Sequence, residues 1–308
     1  MVSRKIILIA SLLILNAGLA SAQTLNVGQG EPYSTIQSAI DAAKNGDTIM
    51  VGEGIYNENL RIKTNGISII GKNKEKTILE GGKSSSGIRI DEVNNVVLSG
   101  FTIRNSGGGG QEDAGITIYK GNDNTVSNMN IFSNKVGVSI YQQSNNNVIS
   151  GNDIESSSIN GIDIYISNDN KIFNNNIKNN KKIGINAYSA KTNRIYSNNL
   201  IDNNDKKEQA YDNSGLNSWD FDKTGNYWSD YKGSGEYVIV LGAKNAKDNF
   251  PLKSALSIRS EPIATQPAPK GSEAAKSTPG FTVFVSIISL IAIGIFRKYA
   301  TFLHLRYK

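Results

Sequence analysis

Five tyrosines, Tyr119, Tyr141, Tyr165, Tyr188 and Tyr211, recur at intervals of 22, 24, 23 and 23 residues. In a repeating fold such spacing forms a strip of rings. A strip can stack on the flat faces of sugars while neighbouring amides and carboxylates take the hydroxyls. Two residues before the first four tyrosines stand Thr117, Ser139, Asp163 and Asn186, which suit the second task. The rings can equally stack on one another, at roughly 0.5–1.5 kcal/mol per pair beyond burial. A different chemistry, glycoside hydrolysis, needs two facing carboxylates at a fixed separation. Asp153, Asp163 and Asp169 are the acids whose columns would allow such a pair. No adjacent Asp-Asp occurs, and the only histidine, His304, lies near the C-terminus. These acids therefore read first as turn and surface groups, and a lyase-type Arg or Lys base stays open.

Metal chemistry has few donors. The chain has no cysteine, and its three methionines are Met1, Met50 and Met129. Copper sites draw on His, Cys and Met, so no metal or cofactor is expected.

The elements that position these residues come from a repeat running from Ala114 to Asn213. Asn124, Asn147, Asn170 and Asn193 are 23 residues apart, as are Ile131, Ile154, Ile177 and Leu200. A period in this range indicates a solenoid. Ile116, Val138, Ile162 and Ile185 form one apolar file, and Ile118, Ile140, Ile164 and Ala187 a second, two residues on. Alternation at period two means strands with one buried face. The Asn, Asp, Ser and Gly between them favour turns. About three short strands per coil, with coils ~4.8 Å apart, predict an all-β, right-handed, single-stranded parallel β-helix. Stacked Asn side chains would hydrogen-bond along such a column. A leucine-rich repeat would need a Leu pattern and a helical arm, and propeller blades are about 40 residues long.

Before the repeat, Ser34 and Gln37 form a capping box for a helix whose stripe is Ile36, Ala39, Ile40 and Ala43; Thr48 to Val51 reads as a strand. The helix would cap the open end of the core, as terminal elements of solenoids do. Gly87 and Gly115 are 28 apart, so that coil carries a loop, with a flexible bulge at Gly107 to Gly110. After the repeat, a segment holding Trp219 and Trp228 reads as a plug over the last coil.

The ends carry the chain's address. Arg4 and Lys5, an apolar run from Ile6 to Leu15, and Ala20-Ser21-Ala22 make residues 1–22 a secretory leader. Residues 23–253 form the β-helix domain and 254–278 a Pro-, Ser- and Ala-rich linker. Residues 279–308 form a C-terminal membrane segment whose Arg297-Lys298 end is cytoplasmic by the positive-inside rule. The net charge of +6 sits in the two ends; without their six basic residues, 27 basic face 27 acidic groups. The neutral middle gives no reason to expect a nucleic-acid partner.

Three resemblances bear on these readings. Pro279-Gly280-Phe281, an apolar run and a basic end resemble the PGF-type sorting signal of archaeal surface proteins, which implies a membrane sortase; an ordinary retained anchor is the alternative. This chain continues past the basic cluster, where that signal usually ends. The segment from Thr35 to Leu60, with Gly225-Asn226-Tyr227-Trp228-Ser229-Asp230-Tyr231 and Asp248-Asn249-Phe250-Pro251-Leu252, resembles the archaeal surface β-helix proteins of the NosD-like copper-binding group. That group commonly has an acidic, calcium-suited loop between the last two motifs; here Glu236 is the interval's only acid, so calcium is not expected. Gly54-x-Tyr56-x-Glu58 resembles pectinesterases, and polysaccharide lyases and polygalacturonases share this pectate-lyase-like fold, which by itself confers no activity. Together these imply a membrane-anchored cell-surface module that binds a surface or extracellular polysaccharide or builds the envelope without catalysis. The alternative is a polysaccharide lyase, hydrolase or esterase.

Overall fold

The structure, a computed structural model, describes residues 21–258. Most of the leader, the linker beyond residue 258, and the C-terminal segment with Pro279, Gly280, Phe281 and His304 lie outside the described residues. The chain winds as a parallel β-solenoid with three eight-stranded sheets. Sheet 1 runs from Thr24–Val27 to Arg194–Tyr196, sheet 2 from Gly54–Tyr56 to Tyr227–Trp228, and sheet 3 from Leu60–Ile62 to Leu241–Gly242. Each regular coil contributes one strand to each sheet.

The two apolar files of sheet 3 are as the alternation predicts. Ile116, Val138, Ile162 and Ile185 are in register, as are Ile118, Ile140, Ile164 and Ala187, and all are fully buried. Ile131, Ile154, Ile177 and Leu200 form the matching file of sheet 2. Five strands of sheet 3 follow a glycine, Gly87, Gly115, Gly137, Gly161 and Gly184, because the coils touch there: a Cβ on Gly161 would lie 2.6 Å from the carbonyl oxygen of Gly184.

Each corner is held by a buried amide ladder. Between sheets 3 and 1, the backbone N–H and Nδ2 of Asn124 both donate to Oδ1 of Asn147, and the pattern repeats through Asn170 and Asn193 to Asn217, at 2.8–3.1 Å. Between sheets 1 and 2 the same bonds link Asn152, Asn175, Asn198 and Asn226. Between sheets 2 and 3 they link Asn180, Asn203 and Gln209. The residue just before the ladder position, such as Asn128, Asn174 or Asn179, takes a positive φ of 53–54°. Asn tolerates this left-handed conformation better than most residues, which explains the paired asparagines.

The ends are closed by different means. At the front the helix Ile36–Ala42 buries Ile36, Ala39 and Ile40. Its N-cap is Thr35, not Ser34, and the side chain of Gln37 turns instead to Asp41 and the carbonyl of Arg61. The Glu58 carboxylate accepts from the N–H groups of Ile36 and Gln37 at 2.9 and 3.0 Å. It takes the place of the predicted capping box and ties the helix to the next coil. At the far end Trp219 and Trp228 are buried and pack at 5.7 Å between centroids, with Tyr237 stacked on Trp228 at 4.0 Å. Their indole N–H groups donate to Asp212 and Asp248. Glu236 is paired with Lys247 at 2.6 Å.

Ser157 occupies the position of Asn134, Asn180 and Asn203 in the third ladder, and its hydroxyl is buried without a hydrogen-bond partner. Ser157→Asn is expected to stabilise the fold by about 1 kcal/mol, read as a higher Tm. Asn170→Ala strands donors and acceptors on both neighbouring coils and is expected to cost about 3 kcal/mol in denaturant unfolding. A loss within error would mean that the ladder does not hold the coils together.

Candidate functional site

The corner ladders fix the register of sheet 3, and the register fixes two outward columns. The outer column stacks Tyr119, Tyr141, Tyr165 and Tyr188; the inner stacks Thr117, Ser139, Asp163 and Asn186. The uneven intervals of 22 and 24 between the first three tyrosines match those between Ile116, Val138 and Ile162, so the coil lengths vary while the column stays straight. Tyr211 departs from the expected file. The coil before it carries two extra residues, with Ile185 opposite Ala210, so Tyr211 sits beside Asn186 in the inner column. A slip of two residues keeps a side chain on the same face of a sheet, and the ring still stacks on Tyr188 at 6.5 Å.

The rings do not offer flat faces to solvent as the sugar-stacking reading requires. Tyr141 and Tyr165 are 4.8 Å apart at 12°, and Tyr165 and Tyr188 are 5.3 Å apart at 7°. Their faces are turned to one another, and the Arg89 guanidinium lies 4.3 Å from the centre of the Tyr119 ring. What remains outward is a row of ring edges and hydroxyls. Burial pushes the Tyr141 phenol up, and the charges of Tyr165 and Glu112 add to this. It is a neutral hydroxyl at physiological pH, not a phenolate base.

A cavity of about 280 Å³ lies on these columns. Ser139, Asp163 and Asn186 line its inner side, and Tyr141, Tyr165 and Tyr188 its outer side. Gln111 completes the lining from the loop that lengthens the coil between Gly87 and Gly115. The sequence pointed to a loop there without singling out Gln111. That loop is pinned despite its glycines: Lys135 Nζ donates to the carbonyls of Gly108 and Gly110, Asp113 accepts from their N–H groups, and Arg89 pairs with Glu112. Below the cavity Arg61 and Arg89 both hold Asp91. Burial alone would raise the Asp91 carboxyl, but those two hydrogen bonds hold it below the usual carboxylate value.

Asp163 is the cavity's one carboxylate. Its Oδ1 accepts from Nδ2 of Asn160 at 2.6 Å and of Asn186 at 3.1 Å. Asn160 had no signal in the sequence, since it lies outside both outward columns. Burial raises the Asp163 carboxyl above its ordinary value; those hydrogen bonds and the charges of Lys182 and Lys135 offset part of the rise. The acids expected as a possible pair are not brought together. Asp153 stands on sheet 2, bonded to Lys74 and Asn176. Asp169 is a corner residue at φ 58° on the way to sheet 1. Acids on neighbouring coils of one column would pair, but these stand on sheet 2, on sheet 3 and at the corner between sheets 3 and 1. The sequence also missed a second aromatic file on sheet 1, where Phe173 and Tyr196 stack at 5.3 Å and Phe221 caps them.

Fold and groove together define a parallel β-solenoid with a polar, tyrosine-walled cleft along one sheet. The chain belongs to the family described as periplasmic copper-binding protein (NosD), which matches residues 21–233. A stretch of 104 residues, 30% of this chain, is 33% identical to the Arabidopsis thaliana probable pectinesterase/pectinesterase inhibitor 17, and covers 20% of that protein's length. Among solved structures, Geobacillus virus E2 ORF18 is similar with a TM-score of 0.50 at 14% identity, over 66% of this chain and 47% of that one. Pectin methylesterase PemA from Erwinia chrysanthemi has a TM-score of 0.45 at 14% identity, over 77% and 91%. Copper does not fit the side chains that the family's description would require. Met129 is sealed in the core, and Met50 stands on sheet 1 three strand spacings away from that coil, about 14 Å. Neither cysteine nor a second histidine exists to join them.

The raised Asp163 carboxyl gives a pH test. The folded state holds this proton more tightly than the unfolded chain, so the residue's effect on stability is most favourable at low pH. The effect worsens as pH climbs from the unfolded value, near 3.8, through the folded one. Asp163→Asn removes the buried charge and is expected to raise the Tm at neutral pH, with the gain shrinking as the pH falls toward 3.8. A gain that is independent of pH would contradict the burial of the charge.

Proposed function

We propose that this chain is an exported, non-catalytic glycan-binding module. Its groove on sheet 3 would take a surface or extracellular polysaccharide. The observation that carries this reading is the cavity itself: tyrosine hydroxyls repeat from coil to coil beside the hydroxyl of Ser139 and the amides of Asn186 and Gln111, around a single carboxylate, with no second acid in the lining to complete a hydrolytic pair. The partial likeness to a pectinesterase supports a polysaccharide as the ligand class. An address outside the cytoplasm is supported by the leader-like residues 1–22 and by the periplasmic description of the family. The C-terminal segment would hold the chain at a membrane, either processed by a sortase at Pro279-Gly280-Phe281 or retained as an anchor. Mass spectrometry of the native C-terminus separates these.

One observation favours the enzyme reading: Asp163 is a carboxyl raised by burial at the floor of a cavity, the state expected of a general acid. Release of reducing ends or unsaturated sugars from a polysaccharide, abolished by Asp163→Ala, would establish it.

Because the rings support one another, tyrosine-to-phenylalanine variants separate binding from stability. Tyr141→Phe and Tyr165→Phe are expected to keep the Tm within about 2 °C, since the stack is intact, and to weaken binding on a glycan array about fivefold each, the worth of one hydrogen bond. Failure of the full chain to bind any glycan would overturn the reading in favour of an envelope-structural role.

A further inference from the structure

We infer that the groove takes an uncharged glycan chain laid along the solenoid axis, about one sugar residue per coil, and excludes polyuronates. This rests on the glycan-binding reading and names the ligand class for the same groove.

The direction follows from the repeat. Three consecutive coils present the same outward pair, one inner-column polar group and one tyrosine hydroxyl. Their spacing of about 4.8 Å is close to the length of one pyranose residue in an extended chain. A glycan running along the axis therefore meets a tyrosine hydroxyl and a polar partner at each residue, whereas one running across the sheet meets a single coil. The run is also bounded. Tyr211 enters the inner column above Asn186, and below Ser139 the Thr117 hydroxyl is engaged with the carbonyl of Glu112 at 2.7 Å. The bounded length corresponds to about three sugar residues at this spacing.

The charge follows from the lining. It holds one carboxylate and no cation. The cations around it are committed or outside: Lys135 holds the loop carbonyls, Arg89 is tied to Asp91 and Glu112, and Lys182 is exposed. A uronate carboxylate would lie against Asp163 with no cation in the lining to pair with it, since Lys135 and Lys182, whose charges reach Asp163, stand outside the lining, and like charges brought together are strongly penalised. A neutral sugar donates hydroxyls instead. Asp163 Oδ2 has no protein donor among the described residues, both amide donors being spent on Oδ1. The likeness to a pectinesterase bears on polysaccharide as a class; the groove's own charge selects within that class.

Titration calorimetry on the full chain tests this with neutral gluco-, manno- and xylo-oligosaccharides and with oligogalacturonates, each from the disaccharide to the hexasaccharide. At least one neutral series is expected to gain affinity up to about three residues and then level off. Oligogalacturonates of equal length should bind at least about tenfold more weakly. Asp163→Asn should move the two classes in opposite directions: neutral affinity falls about fivefold with loss of the charge-assisted bond, and oligogalacturonate affinity rises. Thermal melts report whether each variant is folded. Oligogalacturonates bound more tightly than every neutral series by the native chain would overturn the inference and leave glycan binding standing. Affinity unchanged beyond the disaccharide would overturn the axial arrangement. Absence of binding to either class would remove the glycan-binding reading and this inference together.

Discussion

The amide ladders at the corners are the constraint on which the molecule depends. A solenoid of short strands must turn three times per coil, and each turn leaves backbone groups inside the corner that water cannot reach. Burying such groups unpaired is costly. An asparagine facing inward at most corners solves this with one side chain: its oxygen takes two N–H groups of the coil before it, and its amide nitrogen gives to the next coil and to a turn carbonyl. Because the donors and acceptors repeat at one spacing, each coil templates the next. The ladders end where other side chains take over, the Gln209 amide at one corner and the Asp248 carboxylate beyond Asn226 at another.

The outward face inherits its order from that inner constraint. Columns of like residues arise because the register cannot slip, and so tyrosines far apart in sequence come within stacking distance. The same regularity limits what the file offers, since rings at strand spacing cover one another. Aromatic stacking here builds the wall of the groove, and what that wall leaves outward is hydroxyl edges, Asp163 and the amides around it. The loop carrying Gln111 breaks the regularity at one level and supplies the wall that columns alone cannot make.

Family membership and ligand chemistry part company in this chain. The family's description names copper, yet metal affinity requires donor atoms in one place, and the two methionines among the described residues, Met50 and Met129, stand about 14 Å apart along the solenoid. A shared way of building coils does not by itself fix the side chains on their outward faces.

Much was legible in the sequence because a solenoid's contacts are periodic. The spacing of Asn147 and Asn170 states a physical neighbour relation directly, as does that of Ile154 and Ile177, and the alternation in Ile162-Asp163-Ile164 states which side faces in. The helix stripe at Ile36, Ala39 and Ile40 was equally plain, though its N-cap is Thr35 and its first two N–H groups go to Glu58, a residue of the following coil. Tertiary structure alone decided whatever depends on irregular coil length or on direction. It moved Tyr211 out of the file, since spacing in sequence equals spacing in space only while coils keep their length. It put Asp153 and Asp163 on different sheets and Asp169 at a corner, and it turned the tyrosine faces toward one another. It also brought Asn160 and Gln111 to the groove. Neither belongs to a column, and no periodicity could have announced them.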